Sequence, residues 1–180
     1  MAATFEFNED NGTQTGSPTK GTTRTTARTD CNYKNIDDSA TAYSSSPIVA
    51  GNNSFTKYQC GKFTGVFNQI LNGKWSAHTS PAGSLATGLT LHGKVTSTYT
   101  TPATTTDSGI ASPTDFTTAV AIGSGSAVNF STVGPEGAGP TATLGAAGYT
   151  QFLASQLQTT VSAAPGDMAT ITQTLQYDEN

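Results

Sequence analysis

The residue types suited to catalysis or metal binding are sparse in this chain: two histidines, two cysteines, and the adjacent acids Glu9-Asp10, Asp37-Asp38 and Asp178-Glu179. His78 and His92 stand outside any HExxH, HxxxH or Cys-x-x-Cys context, and Cys31 and Cys60 lie far apart, so no zinc-type spacing is present. Neighbouring acids on a strand point to opposite faces and do not form an acid–base pair, so the three doublets read as solvated turns and a chain end. Asn8-Glu-Asp-Asn-Gly-Thr13 offers oxygen ligands but lacks the spaced calcium-loop pattern, and reads as an Asx-rich turn. Gly123-Ser-Gly-Ser has neither the nucleophile-elbow nor the phosphate-loop context. The expectation is no catalytic residue, no cofactor and no metal site. The function expected is therefore binding, without enzymatic activity.

What positions the remaining residues follows from composition. Of 180 residues, 34% are hydrophobic and 11% charged, with threonine, glycine, alanine and serine filling the difference. Threonine is β-branched and suits a pleated surface. All eight Lys and Arg lie at or before Lys94, and the acids Asp107, Asp115, Glu136, Asp167, Asp178 and Glu179 follow without a basic partner. Nucleic-acid binding needs clustered cations against phosphate, so this distribution argues against it. The opening MAATFEFNED has no basic region followed by an apolar run, and no apolar stretch approaches the roughly 20 residues of a membrane span. A protein made in the cytoplasm, with no membrane segment and with both cysteines as free thiols, is expected. The Asn-x-Ser/Thr triplets at Asn11, Asn52 and Asn129 then carry no information.

Thr4 to Asn8 alternates, with Phe5 and Phe7 on one face, and predicts a strand ending at the turn-rich cluster. From Asn11 to about Ser46 the chain is poor in large apolar residues. This tract admits two readings: a long flexible surface loop, or an arm that orders on a neighbouring subunit. Lys20, Arg24, Arg28 and Tyr33 on it, with Trp75 beyond, are the candidate partner-binding residues. Residues 1–46 are thus expected as a strand plus an extended Thr/Gly-rich arm, and residues 47–180 as the main domain.

The block from Pro47 to Leu71 is densest in aromatic and branched residues. Phe55, Phe63 and Phe67 fall on one parity and Tyr58, Cys60 and Val66 on the other, with Gly61 placed where a bulge would reconcile them. Asn72-Gly73 predicts a turn toward Trp75. Leu85, Leu89 and Leu91, continued by Val95 and Tyr99, predict two strands before a Thr/Pro-rich loop at 100–113. Ala119-Val-Ala-Ile and Ala127-Val-Asn-Phe, separated by Gly-Ser-Gly-Ser, have hairpin spacing, and 134–140 is a further loop. Tyr149 to Val161 fits a helix through Phe152, Leu153 and Leu157, and a strand through Leu153, Leu157 and Val161; its Thr-Thr-Val ending favours the strand. Ile171, Leu175 and Tyr177 mark a closing amphipathic strand. Many short strands predict an all-β fold, a single antiparallel β-sandwich of immunoglobulin-like or jelly-roll-like type with an extended N-terminal arm or long loop.

Three segments resemble small β-rich virion structural proteins of tailed bacteriophages, of the head-decoration or cement type. They are Thr4-Phe-Glu-Phe-Asn-Glu, then Ser46-Pro-Ile-Val-Ala-Gly-Asn-Asn-Ser-Phe-Thr-Lys-Tyr with Gly61-Lys-Phe-Thr-Gly-Val-Phe, and Leu157-Gln-Thr-Thr with Leu175-Gln-Tyr-Asp-Glu. The likeness covers about a third of the chain and is one of strands and turns. It implies a sandwich bound to a capsid lattice in the virion, with the major capsid protein or another virion protein as partner, in a homo-oligomeric or lattice-bound state. A tail, baseplate or fibre component shares this composition. A carbohydrate-binding module, using Trp75, Tyr58, Tyr99 and Tyr149 as stacking surfaces, is the alternative from another class.

Overall fold

The computed structural model describes residues 2–68, 70–80, 85–105, 114–115, 128–129, 148–166 and 170–180. Alternation at Phe5 and Phe7 does start a strand, but β1 continues from Thr4 to Thr15. It pairs antiparallel on one side with β2 (Lys20–Thr25) and on the other with β3 (Lys57–Thr64). Then follow β4 (Ile70–Ser80), β5 (Leu89–Thr96), β6 (Thr114–Asp115), β7 (Val128–Asn129), β8 (Gly148–Tyr149), β9 (Phe152–Thr159) and β10 (Thr170–Glu179). The first sheet has the order β2-β1-β3-β9-β5-β6, with β8 paired to β3, and the second has the order β10-β4-β7. All pairings are antiparallel. Among the described residues there is no α-helix, only a 3-10 turn at Tyr43–Ser45. The fold is all-β.

Aromatic rings join the two sheets. Phe7 of the first meets Trp75 of the second at 5.4 Å between centroids, and Tyr177 stands edge-on to Phe63 at 4.7 Å. Around these contacts Trp75, Leu91, Leu153 and Leu157 form one cluster and Phe63, Phe67 and Ile70 another. The opposite face of the first sheet has its own cluster of Tyr58, Cys60, Tyr99, Phe152 and Ala154. Strand β9 is therefore buried on both faces, with Leu153 and Leu157 on one and Phe152 and Ala154 on the other. Burial on both sides removes the polar alternation of a half-exposed strand, which is why its sequence also fitted a helix. Val161 lies beyond the strand and is exposed.

Several local expectations change. The tract at 11–25 is neither loop nor free arm: it folds back as the β1–β2 hairpin, because Asp10 of β1 meets Arg24 of β2 across the pair. The first 25 residues thus enter the same sheet as strands from the 47–180 part. Gly61 is not at a bulge, since the β1–β3 register runs unbroken through Phe7 opposite Gly61. It is a close approach: a Cβ there would stand 2.5 Å from the Phe5 ring and 3.1 Å from Leu175 Cδ1. Asn72-Gly73 does not turn the chain. β4 runs straight through it, and the register with β10 shifts there, so two residues of β4 oppose Tyr177 alone, a β-bulge. Tyr99 lies past the end of β5 and packs on the opposite face from Val95. Ala119–Ile122, the Gly-Ser-Gly-Ser linker and the 134–140 loop lie outside the described residues, as do 106–113 of the Thr/Pro-rich loop. β10 forms as expected, with Leu175 and Tyr177 packed inward.

Candidate functional site

Beyond Phe7, the same face of the first sheet turns polar: Glu9 and Asn11 of β1 lie beside Gln59 and Lys57 of β3. A buried charge survives only with a partner. Lys57 Nζ donates to Glu9 Oε1 at 2.9 Å and to the Asp38 carbonyl at 2.9 Å, and both side chains of the ion pair are 1% exposed. Asn11 Nδ2 donates to Glu9 Oε1 and to Asp37 Oδ1, and the Gly12 amide donates to Asp37 Oδ2. Lys34, also buried, donates through Nζ to Asp38 Oδ1 at 2.6 Å and to the Thr41 carbonyl at 2.5 Å. These bonds fasten the segment 34–41 onto the sheet. Partial burial works against the charged form of Asp38, but hydrogen bonds from Lys34 and from the Thr41 amide and hydroxyl outweigh it and hold the carboxyl well below the usual carboxylate range.

The doublets expected as solvated turns are thus bonded groups. Glu9 and Asp10 are fully buried inside a strand, where the Asx-rich turn was expected, and Asp37 and Asp38 lock a loop in place. Only Asp178 and Glu179 sit exposed at the end, with Glu179 accepting from the Ala3 amide. The signal that could have found this cluster is Lys57 itself, one of two cations within the block densest in apolar residues.

Between the fastened segment and the second sheet no described residue covers the first sheet's face. A cleft of 1520 Å³ has Phe7, Gln59, Leu89 and Leu157 as its floor. One wall is the segment 28–33 with Ile48, the other is Thr172 and Gln173 of β10, and Tyr43, Val49 and residues 163–166 form the rim. The Tyr33 hydroxyl shares a hydrogen bond with Ser155 Oγ at 2.8 Å and accepts from Gln173 Nε2 at 2.9 Å, tying the first wall to β9 and to β10. Burial holds the Tyr33 phenol well above its ordinary pKa, with the neighbouring Cys31 adding to the effect. Burial, reinforced by Glu9, pushes the Cys31 thiol up to about 12, so it is protonated and a poor nucleophile at neutral pH. Cys31 and Cys60 are both free thiols. Gln59 is 4% exposed and its Oε1 has no hydrogen-bond partner among the described residues.

The five sequence-derived candidates are scattered. Lys20 opens β2 opposite Thr15. Arg24 is bidentate to Asp10, at 2.6 and 2.9 Å, and its guanidinium stacks 4.8 Å from the Tyr149 ring. Arg28 pairs with Asp30 at 2.5 Å, lies 4.0 Å from Glu9 Oε2, and lines the cleft with Tyr33. Trp75 is fully buried between the sheets and presents no surface to a partner. Tyr58 and Tyr99 are buried as well, and the half-buried Tyr149 ring carries Arg24, so the four rings of the carbohydrate-binding alternative do not share one exposed surface. His92 is half-buried on β5, opposite Gln156 and Asp115 in register, and does not line the cleft; the side chain of His78 lies outside the described residues. Among the described residues no group of three or more His, Cys, Asp and Glu is placed to hold a metal, and no helix is long and apolar enough to cross a membrane. No family model, no curated protein and no solved structure matches the chain.

Proposed function

We propose that the chain is a non-enzymatic structural protein that binds other protein surfaces, and that it decorates and stabilises the capsid lattice of a tailed-bacteriophage particle. The observation that carries the binding reading is where the exposed apolar side chains lie. Tyr43 and Val49, 49% and 60% exposed, stand on the rim of a cleft whose floor is also largely apolar, and Ile36 is exposed on the same fastened segment. Exposed apolar side chains at the rim of a largely apolar cleft are what a protein partner covers. Its placement on a phage head rests on the resemblance of the three segments quoted above.

In this reading the two sheets are the layers of one β-sandwich, supported by the Phe7–Trp75 and Phe63–Tyr177 contacts. The role assigned to a free arm passes to the exposed end of the β1–β2 hairpin, residues 13–18. The partner is the major capsid protein or another virion protein. Co-sedimentation with separated phage tails, and with heads before and after expansion, tests this reading. Saturable binding to heads is expected, weakened at least tenfold, or about 1.4 kcal/mol, by the rim double variant Tyr43→Asp/Val49→Asp. Binding to tails alone would transfer the protein to the tail, and binding to neither would overturn the virion reading.

A further inference from the structure

The second sheet ends at β10, whose outer edge carries no strand among the described residues. Thr172 and Gln173 of that strand wall the cleft, and Gln173 also reaches across to the Tyr33 hydroxyl of the other wall, so this edge borders a floor that no described residue covers and that Tyr33 spans at one point. We propose that the cleft is a slot for one extended segment of a partner protein, which pairs with β10 as an added strand and sets apolar side chains, at alternate positions, on Phe7, Leu89 and Leu157. The proposal rests on the protein-binding reading above and names what that surface accepts.

Three observations point to a strand as occupant. The volume of 1520 Å³ exceeds the roughly 300–1,000 Å³ of small-molecule pockets, which favours a chain segment. The segment Thr170 to Tyr177 carries no charge, and Arg28 in the cleft is answered by Asp30, so the walls select an uncharged guest. Gln59 Oε1, buried in the floor without a partner among the described residues, calls for a donor, which a threonine, serine or amide side chain on the guest supplies.

The edge at β2 has the opposite character. It is a six-residue strand bearing Lys20 and Arg24, and its register with β1 is broken between Asn11 and Gln14. Short length, cations and bulges are the features that turn strands away. Ten-residue β10 has a bulge only toward its acidic end, between Gln176 and Asp178.

The probe is a short capped synthetic peptide of alternating threonine and valine, with two further versions N-methylated at every second amide, so that each edge is blocked in turn. The unmodified peptide is expected to bind saturably and to slow hydrogen exchange of alternate β10 amides between 171 and 177 by about tenfold or more. One methylated version is expected to lose binding and the other to keep it, since only one edge faces β10. Failure of the parent peptide to bind, equal binding of both methylated versions, or unchanged β10 exchange would overturn the slot. Should any of these occur while the protein still sediments with phage particles, the slot alone falls. Peptide pairing with β10 without particle binding would keep the slot and remove the virion assignment.

Discussion

The two halves of β1 bury their inward face by opposite means. Phe5 and Phe7 are covered by the rings of Phe63, Trp75 and Tyr177, whereas Glu9 and Asn11, a few residues on, are covered by Lys57 and the segment 34–41. The aromatic half gains from leaving water and needs only shape. The charged half gains little net energy from its ion pair, but it fixes where a loop must lie, because misplacing Asp38 leaves the buried Lys34 charge unanswered and misplacing Asp37 leaves Asn11 and the Gly12 amide without their acceptor. One strand therefore joins a stable core to a positioned wall, and the open floor between them is the cleft.

The comparison breaks most visibly at its two centres. Trp75→Ala should cost about 3–5 kcal/mol in urea denaturation, through lost burial and the cavity left beside Phe7. Lys57→Met should cost a similar roughly 3–5 kcal/mol, for the different reason that buried Glu9 loses its nearest cation and keeps only the Asn11 amide and Arg28 at 4.0 Å. Gly61→Ala tests the seam between the sheets. Its methyl would press on the Phe5 ring and Leu175, and a loss of about 1–3 kcal/mol is expected by the same measurement.

The smallest effect is a pH dependence. Asp38 has a folded pKa below its ordinary 3.8, so its contribution is complete above that value and drains away as the pH falls below it. Asp38→Asn should therefore be less stable than the parent near neutrality, with the difference shrinking as the pH drops toward about 2. A difference that stayed constant with pH would show that the carboxylate charge is not what holds the loop.

The aromatic half was legible in the sequence and the charged half was not. Phe5, Phe7, Leu175 and Tyr177 alternate with polar residues because one side of each strand is apolar, and that period announces itself. Glu9, Asp10, Asp37 and Asp38 look like turn residues, since local sequence does not show that Lys57, Arg24 and Lys34 come back to meet them. Asn72-Gly73 has turn chemistry but becomes a bulge, because pairing with β10 continues on both sides. The cleft was out of reach for the same reason: its floor comes from β1, β3, β5 and β9, and its far wall from β10. Trp75, expected at a partner surface, lies instead in the core, because Phe7 of the other sheet packs against it.

The Glu9–Lys57 pair acts as one unit that pins the 34–41 segment and so shapes the cleft wall. A double-mutant cycle of Glu9→Gln, Lys57→Met and the combined variant, followed by urea denaturation, tests it most directly. The double variant should recover much of the loss of either single one, with a coupling of roughly 2 kcal/mol or more. Single-variant losses that simply add, to within about 0.5 kcal/mol, would contradict it.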